Sequence, residues 1–114
     1  MDKVQSISDL KKDIKSFIRE RNWEKSHSPK NISMSLSIEA AELMELYQWI
    51  STAESWDLHR KEDNHQKIVE EIADVAIYLI DLCNVLDIDL SDEIKERLEL
   101  NAKRYPVDSS KLVL

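Results

Sequence analysis

An all-α fold follows from three features of this 114-residue chain: it has no glycine, only two prolines (Pro29 and Pro106), and two apolar segments carrying carboxylates three residues apart. A sheet protein of this length needs several glycine-containing turns, so a glycine-free chain is directed toward helices joined by polar loops. Three-residue spacing puts both side chains on one helix face, about one turn apart. The expectation is a single four-helix bundle over residues 1–106, followed by a tail at 107–114.

The first helix is expected to start near Ser8, as cap with Asp9 in the first turn, and to run to about Glu24. Its Leu10, Ile14, Phe17 and Ile18 recur at the i, i+4, i+7, i+8 spacing of an amphipathic helix. Ser26-His27-Ser28-Pro29-Lys30-Asn31 reads as a loop of cap-type residues around a proline. A second helix is expected from Ile32 to Ile50, capped by Asn31 or Ser33. Ser51 to Asn64 is polar and mixed in charge, with Trp56 its only aromatic, and reads as a mobile connection with room for a short helical turn. The third helix is expected from His65 to Leu86. From Ile68 onward it is apolar nearly all round, the signature of a helix buried on more than one side. A chain this small has difficulty covering such a helix, so a homo-oligomer is expected. Ser91 is the expected cap of a fourth helix from Asp92 to Lys103, which Arg104-Tyr105-Pro106 ends.

Composition narrows the function. With 23 acidic and 16 basic residues the net charge is −7, which disfavours polymeric nucleic acid as a partner because such binding rests on basic patches. Without glycine there is no phosphate-cradling loop of the Walker or Rossmann kind. Any phosphate must be held by side chains and metal. The single cysteine, Cys83, lies in an apolar run, excludes an intrachain disulfide and fits a reducing compartment. Met1 to Leu10 has no apolar signal-peptide core, and no run of about 18 apolar residues exists, so a cytoplasmic protein without a membrane span is expected.

The two acidic segments are Ile38-Glu39-Ala40-Ala41-Glu42-Leu43-Met44-Glu45-Leu46 and Glu70-Glu71-Ile72-Ala73-Asp74-Val75-Ala76-Ile77. Carboxylates flanked by Ile, Leu, Val and Ala are costly to bury unless a cation compensates them. Two such pairs on facing helices would make a hard oxygen cage of the kind that binds Mg²⁺. On the third helix Glu71, Asp74, Tyr78 and Asp81 form one stripe, on a helix too apolar for the stripe to be merely its wet side.

Beyond these physical features, the chain resembles the all-α nucleoside triphosphate pyrophosphohydrolases of the MazG type, and within them the dCTP pyrophosphatase branch. The matching segments are Arg21-Asn22-Trp23-Glu24, His27-Ser28-Pro29-Lys30-Asn31, Glu39 to Trp49, Glu71 to Leu79, and Asn101-Ala102-Lys103-Arg104-Tyr105-Pro106. The broad MazG pattern opens with two adjacent glutamates. Here Ile38 stands where the first would be, a departure shared with the dCTP pyrophosphatase branch.

The resemblance implies that Glu39, Glu42, Glu71 and Asp74 are Mg²⁺ ligands and that the reaction is NTP + H₂O → NMP + pyrophosphate, with dCTP or a related pyrimidine deoxynucleotide as substrate. It further implies a homotetramer built from dimers. Glu45, one turn past Glu42, is the candidate for positioning water. Lys30, Arg97, Lys103 and Arg104 are candidate phosphate contacts. Trp23, His27, Trp49, Asn101 and Tyr105 are candidates for holding the nucleotide. Two other all-α nucleotide hydrolases, dUTPase and phosphoribosyl-ATP pyrophosphohydrolase, share the metal logic. A non-enzymatic acidic helical interaction module is the alternative of a different class.

Overall fold

The computed structural model describes residues 4–107, and among these every regular element is helical. The elements are α1 (Ile7–Glu20), α2 (Pro29–Glu45), a one-turn α3 (Thr52–Ser55), a 3₁₀ turn (Leu58–Arg60), α4 (Glu62–Leu86) and α5 (Leu90–Arg104). The expected tail lies, from residue 108 on, outside the described residues.

The four long helices occur where the sequence places them, and α4 ends at Leu86 as expected, but the other ends move, several of them for an identifiable local reason. α1 is capped by Ser6 rather than Ser8: Ser6 Oγ accepts from the Asp9 backbone N–H (3.0 Å), and Asp9 returns the bond to the Ser6 N–H (3.1 Å). Those two bonds hold the Asp9 carboxyl below its usual range. α2 begins at Pro29 with Ser28 as cap, because Ser28 Oγ accepts from the Asn31 N–H and proline needs no donor partner at the first helical position. It ends at Glu45, where Tyr47 N–H bonds to Met44 O and tightens the chain into a turn. α5 is capped by Asp89, not Ser91. In Ser51–Asn64 the turn is real, closed by a reciprocal Ser51–Glu54 capping box.

The lack of glycine shows at two helix ends. Asn22 (φ 57°) and Asp87 (φ 54°) occupy the left-handed region, which Asn and Asp tolerate better than other side chains. At each, the following residue bonds back across the last turn, Trp23 N–H to Ile18 O (3.1 Å) and Ile88 N–H to Cys83 O (2.9 Å). The first of these ends α1 at Glu20, short of the expected Glu24, and turns the chain so that Trp23 and His27 fold back beside the helices.

α4 is the spine of the molecule. α2 packs along it, α1 packs on it less extensively, and the 3₁₀ turn lies against it. The buried apolar side chains among the described residues are Ile18 from α1, Ile32 from α2, and Ile68, Ile80 and Cys83 from α4. Asn84 Nδ2 donates to Lys11 O (3.0 Å) and Lys11 Nζ donates to Ile88 O, tying α1 to the end of α4. α5 buries no residue and packs extensively on no other described element, so it does not close a four-helix bundle within one protomer. Its Ile94 and Leu98 are 47% and 62% exposed.

Among the described residues Ile32 is the most completely buried large side chain, 1% exposed, at the start of α2. Ile32→Ala should therefore cost about 2–4 kcal/mol, the range for emptying a core isoleucine site. Denaturant unfolding would show a lower midpoint with an unchanged slope. A loss under about 1 kcal/mol would mean that Ile32 does not anchor α2.

Candidate metal centre and cleft

Glu39 and Glu42 lie one turn apart on α2, and Glu71 faces them from α4. One oxygen from each lies within 4.8 Å of the others. Glu39 and Glu71 are half-buried and Glu42 is exposed. No ion pair among the described residues reaches them, the three pairs present being Arg21–Glu20, His27–Asp81 and Arg60–Asp57. Glu71 Oε2 is buried and has no hydrogen-bond partner. Such an atom is costly in a folded protein unless something outside the chain satisfies it.

The electrostatics agree with the geometry. The Glu71 carboxyl close beside it, followed by burial and the nearby Glu42, pushes the Glu39 carboxyl up to about 7. Carboxylates this close cannot all ionise without a compensating cation. Three oxygen donors, one of them orphaned, fit a hard divalent cation such as Mg²⁺.

Asp74, one turn past Glu71, does not join that convergence. It lines a cleft of about 430 Å³ together with Glu39, Phe17, Trp23, Tyr78 and the His27–Asp81 pair. The cleft therefore runs from the carboxylates to an aromatic wall. There Phe17 meets Trp23 edge-on (centroids 5.8 Å, 71°), and Trp23 stacks on His27 (6.1 Å, 11°). His27 Nδ1 lies 2.6 Å from Asp81 Oδ2.

Of the other residues singled out in the sequence, Trp23 and His27 are at the cleft, and the rest are placed elsewhere on the protomer. Glu45 is exposed at the last turn of α2, and Lys30 is exposed in its first turn. Trp49 is 87% exposed beyond the end of α2. Arg97 is exposed and Asn101 half-buried on α5, Lys103 is exposed there too, and the Arg104 guanidinium sits 5.7 Å from the Tyr105 ring. Phe17 belongs to the cleft although its spacing marks it only as helix face. Asp81 belongs there as the last member of the acidic stripe, its partner 54 residues away and invisible to local pattern.

A profile of the MazG-like family matches residues 34–113. The chain is 34% identical over 106 residues to dCTP pyrophosphatase 1 of Rattus norvegicus, covering 93% of this chain and 62% of that protein. It is 32% identical over 101 residues to dCTP pyrophosphatase 1 of Homo sapiens, covering 89% and 59%. The chain thus spans about three-fifths of the length of these relatives. A crystal structure of a pyrophosphatase from Archaeoglobus fulgidus superposes with a TM-score of 0.80 at 40% identity, over 87% of this chain and 91% of that one.

The raised Glu39 carboxyl has a consequence for stability. A carboxyl whose pKa rises from 4.5 to about 7 on folding favours the folded state below about pH 4.5 and loses that contribution as pH rises through 7. Metal-free protein should melt at a lower temperature at pH 8 than at pH 5. Millimolar Mg²⁺ should remove most of that difference by binding the ionised cluster. Equal melting temperatures with Mg²⁺ and with chelator at pH 8 would count against the site.

Proposed function

Because the chain belongs to the MazG-like family, we propose that it is a Mg²⁺-dependent nucleoside triphosphate pyrophosphohydrolase acting on dCTP or a related pyrimidine deoxynucleotide. The observation that carries this reading is the convergence of Glu39, Glu42 and Glu71 around an orphaned carboxylate oxygen at one end of an aromatic-walled cleft. The similarity to dCTP pyrophosphatases supplies the substrate class.

Glu39, Glu42 and Glu71 hold the cation, with Asp74 completing the set from the cleft wall. When bound, the divalent cation offsets the triphosphate charge and stabilises the charge that develops on the phosphate oxygens. Water adds to the α-phosphorus and pyrophosphate leaves. Glu45 is assigned to hold that water, one turn past Glu42. Trp23 stacks against the base, and His27 beside it supplies a ring nitrogen.

Lys30, Trp49, Arg97, Asn101, Arg104 and Tyr105 are assigned to the same nucleotide but stand away from the cleft of their own protomer. The exposed apolar residues of α5 supply the reason to place Arg97, Asn101, Arg104 and Tyr105 at another copy's cleft. A helix that buries nothing in its own chain is completed by a neighbour, and a homotetramer built as a dimer of dimers would bring these side chains to the nucleotide. No described helix is long and apolar enough to cross a membrane. The buried free thiol of Cys83 suits a reducing, cytoplasmic setting.

Pyrophosphate release from a panel of deoxynucleotides and ribonucleotides tests the reading directly. Activity should require Mg²⁺, vanish with chelator and be highest on a pyrimidine deoxynucleotide. A protein inert toward the whole panel would instead favour a non-enzymatic acidic module. Glu42→Gln and Asp74→Asn keep side-chain shape and remove a charge, so each should cut turnover about a hundredfold while circular dichroism stays helical. A variant that keeps near wild-type turnover removes that residue from the ligand set. Light scattering at micromolar concentration should give the tetramer mass, and a fully active monomer would overturn the assembly.

A further inference from the structure

Asp81 is 3% exposed and is the single charged side chain fully buried among the described residues. Its partner is His27, brought from the loop between α1 and α2 to 2.6 Å. Packing gives no reason for a carboxylate at this point of α4, because apolar residues of similar volume usually serve stability as well as a buried ion pair or better. The two halves of the pair differ in access: the His27 side chain keeps 20% exposure and that of Asp81 only 5%. The pair also forms a wall shared by the 430 Å³ cleft and a smaller cavity of about 140 Å³ beside Lys15, Arg19 and Asn84. The imidazole is therefore the half of the pair that a ligand can meet, and the carboxylate stands behind it.

Two contacts fix the ring. Trp23 lies nearly parallel to it, 11° apart, which sets its plane. An ionised carboxylate only accepts hydrogen bonds, so the Nδ1 facing Asp81 must carry a proton and donate it. Nε2 is then the single ring nitrogen left for a ligand.

We propose that Asp81 is a positioning residue that holds a neutral His27 with its proton on Nδ1 and thereby presents Nε2 as a hydrogen-bond acceptor to the nucleobase, favouring a 4-amino over a 4-oxo pyrimidine. The proposal rests on the nucleotide-hydrolase reading above and adds to it the residue that controls base discrimination. A ring nitrogen of fixed polarity favours one of these two groups and leaves the other unpaired. If the tautomer is freed, the ring can adapt to either.

The test is Asp81→Asn, whose amide can donate or accept and so no longer confines the ring to one tautomer. In folded variant, the ratio of kcat/KM for dCTP over dUTP should move about tenfold toward one, chiefly through KM. Adding Asp81→Asn to a His27→Ala background should change that ratio no further, because Asp81 acts through His27. Imidazole ¹⁵N NMR on the wild type should show Nδ1 protonated and Nε2 unprotonated, and on the variant a mixture of tautomers. An unchanged ratio in folded Asp81→Asn, a wild type without preference between the two nucleotides, or an unprotonated Nδ1 in the wild type would each overturn the proposal. If the wild type hydrolyses no nucleotide, the functional reading itself has failed, and the ¹⁵N spectrum still decides whether Asp81 sets the tautomer. The same spectrum decides the matter if Asp81→Asn does not fold.

Discussion

Mutual repulsion among Glu39, Glu42 and Glu71 is the constraint around which the rest of the molecule is arranged. The packing of α2 along α4 forces their oxygens within 4.8 Å, and no basic side chain among the described residues forms an ion pair with them. The same packing buries Ile32, Ile68, Ile80 and Cys83, so the apolar core holds the charges together. Core and site are thus one structural unit. Without a cation the crowding raises the Glu39 carboxyl to about 7, so that it keeps its proton to a higher pH than an ordinary glutamate. With one, the orphaned Glu71 oxygen gains a partner.

At the far end of the cleft the chemistry changes from charge to shape. The Schellman-type ending of α1, with Asn22 in the left-handed region, brings Trp23 and His27 back over the helices. Phe17, Trp23 and His27 then make a stepped aromatic wall, with Asp81 behind the last ring. A ligand filling the cleft meets hard oxygen ligands at one end and flat surfaces at the other, which suits a phosphate chain joined to a base. The small core carries a cost: many large apolar side chains, including Ile38, Met44, Ile72 and Leu98, remain half or more exposed on one protomer.

Much of this was legible in the sequence, and the illegible parts share a cause. Glu39, Glu42 and Glu71 could be read because helical spacing is local, and a carboxylate among alanines and isoleucines is conspicuous wherever the helix packs. The caps were misplaced because Ser6 and Ser8, Ser28 and Asn31 or Ser33, and Asp89 and Ser91 are all competent caps. Only the hydrogen bonds made to Asp9, Asn31 and Asp92 choose among them. Asp74 reads as an equal fourth ligand, and it stands in the cleft wall with Glu39 rather than among the three oxygens that converge. The His27–Asp81 pair spans 54 residues and depends on how α1 ends, which no local pattern encodes. The fourth long helix reads as part of a bundle, but amphipathic spacing does not say which chain covers its apolar face.

The most direct test of the central claim is crystallographic: grow the protein with Mn²⁺ and locate the metal by anomalous scattering. The account predicts a peak enclosed by the carboxylates of Glu39, Glu42 and Glu71, with Glu71 Oε2 in contact with it. A crystal with no peak there, and with Glu71 Oε2 satisfied by a protein donor, would contradict it.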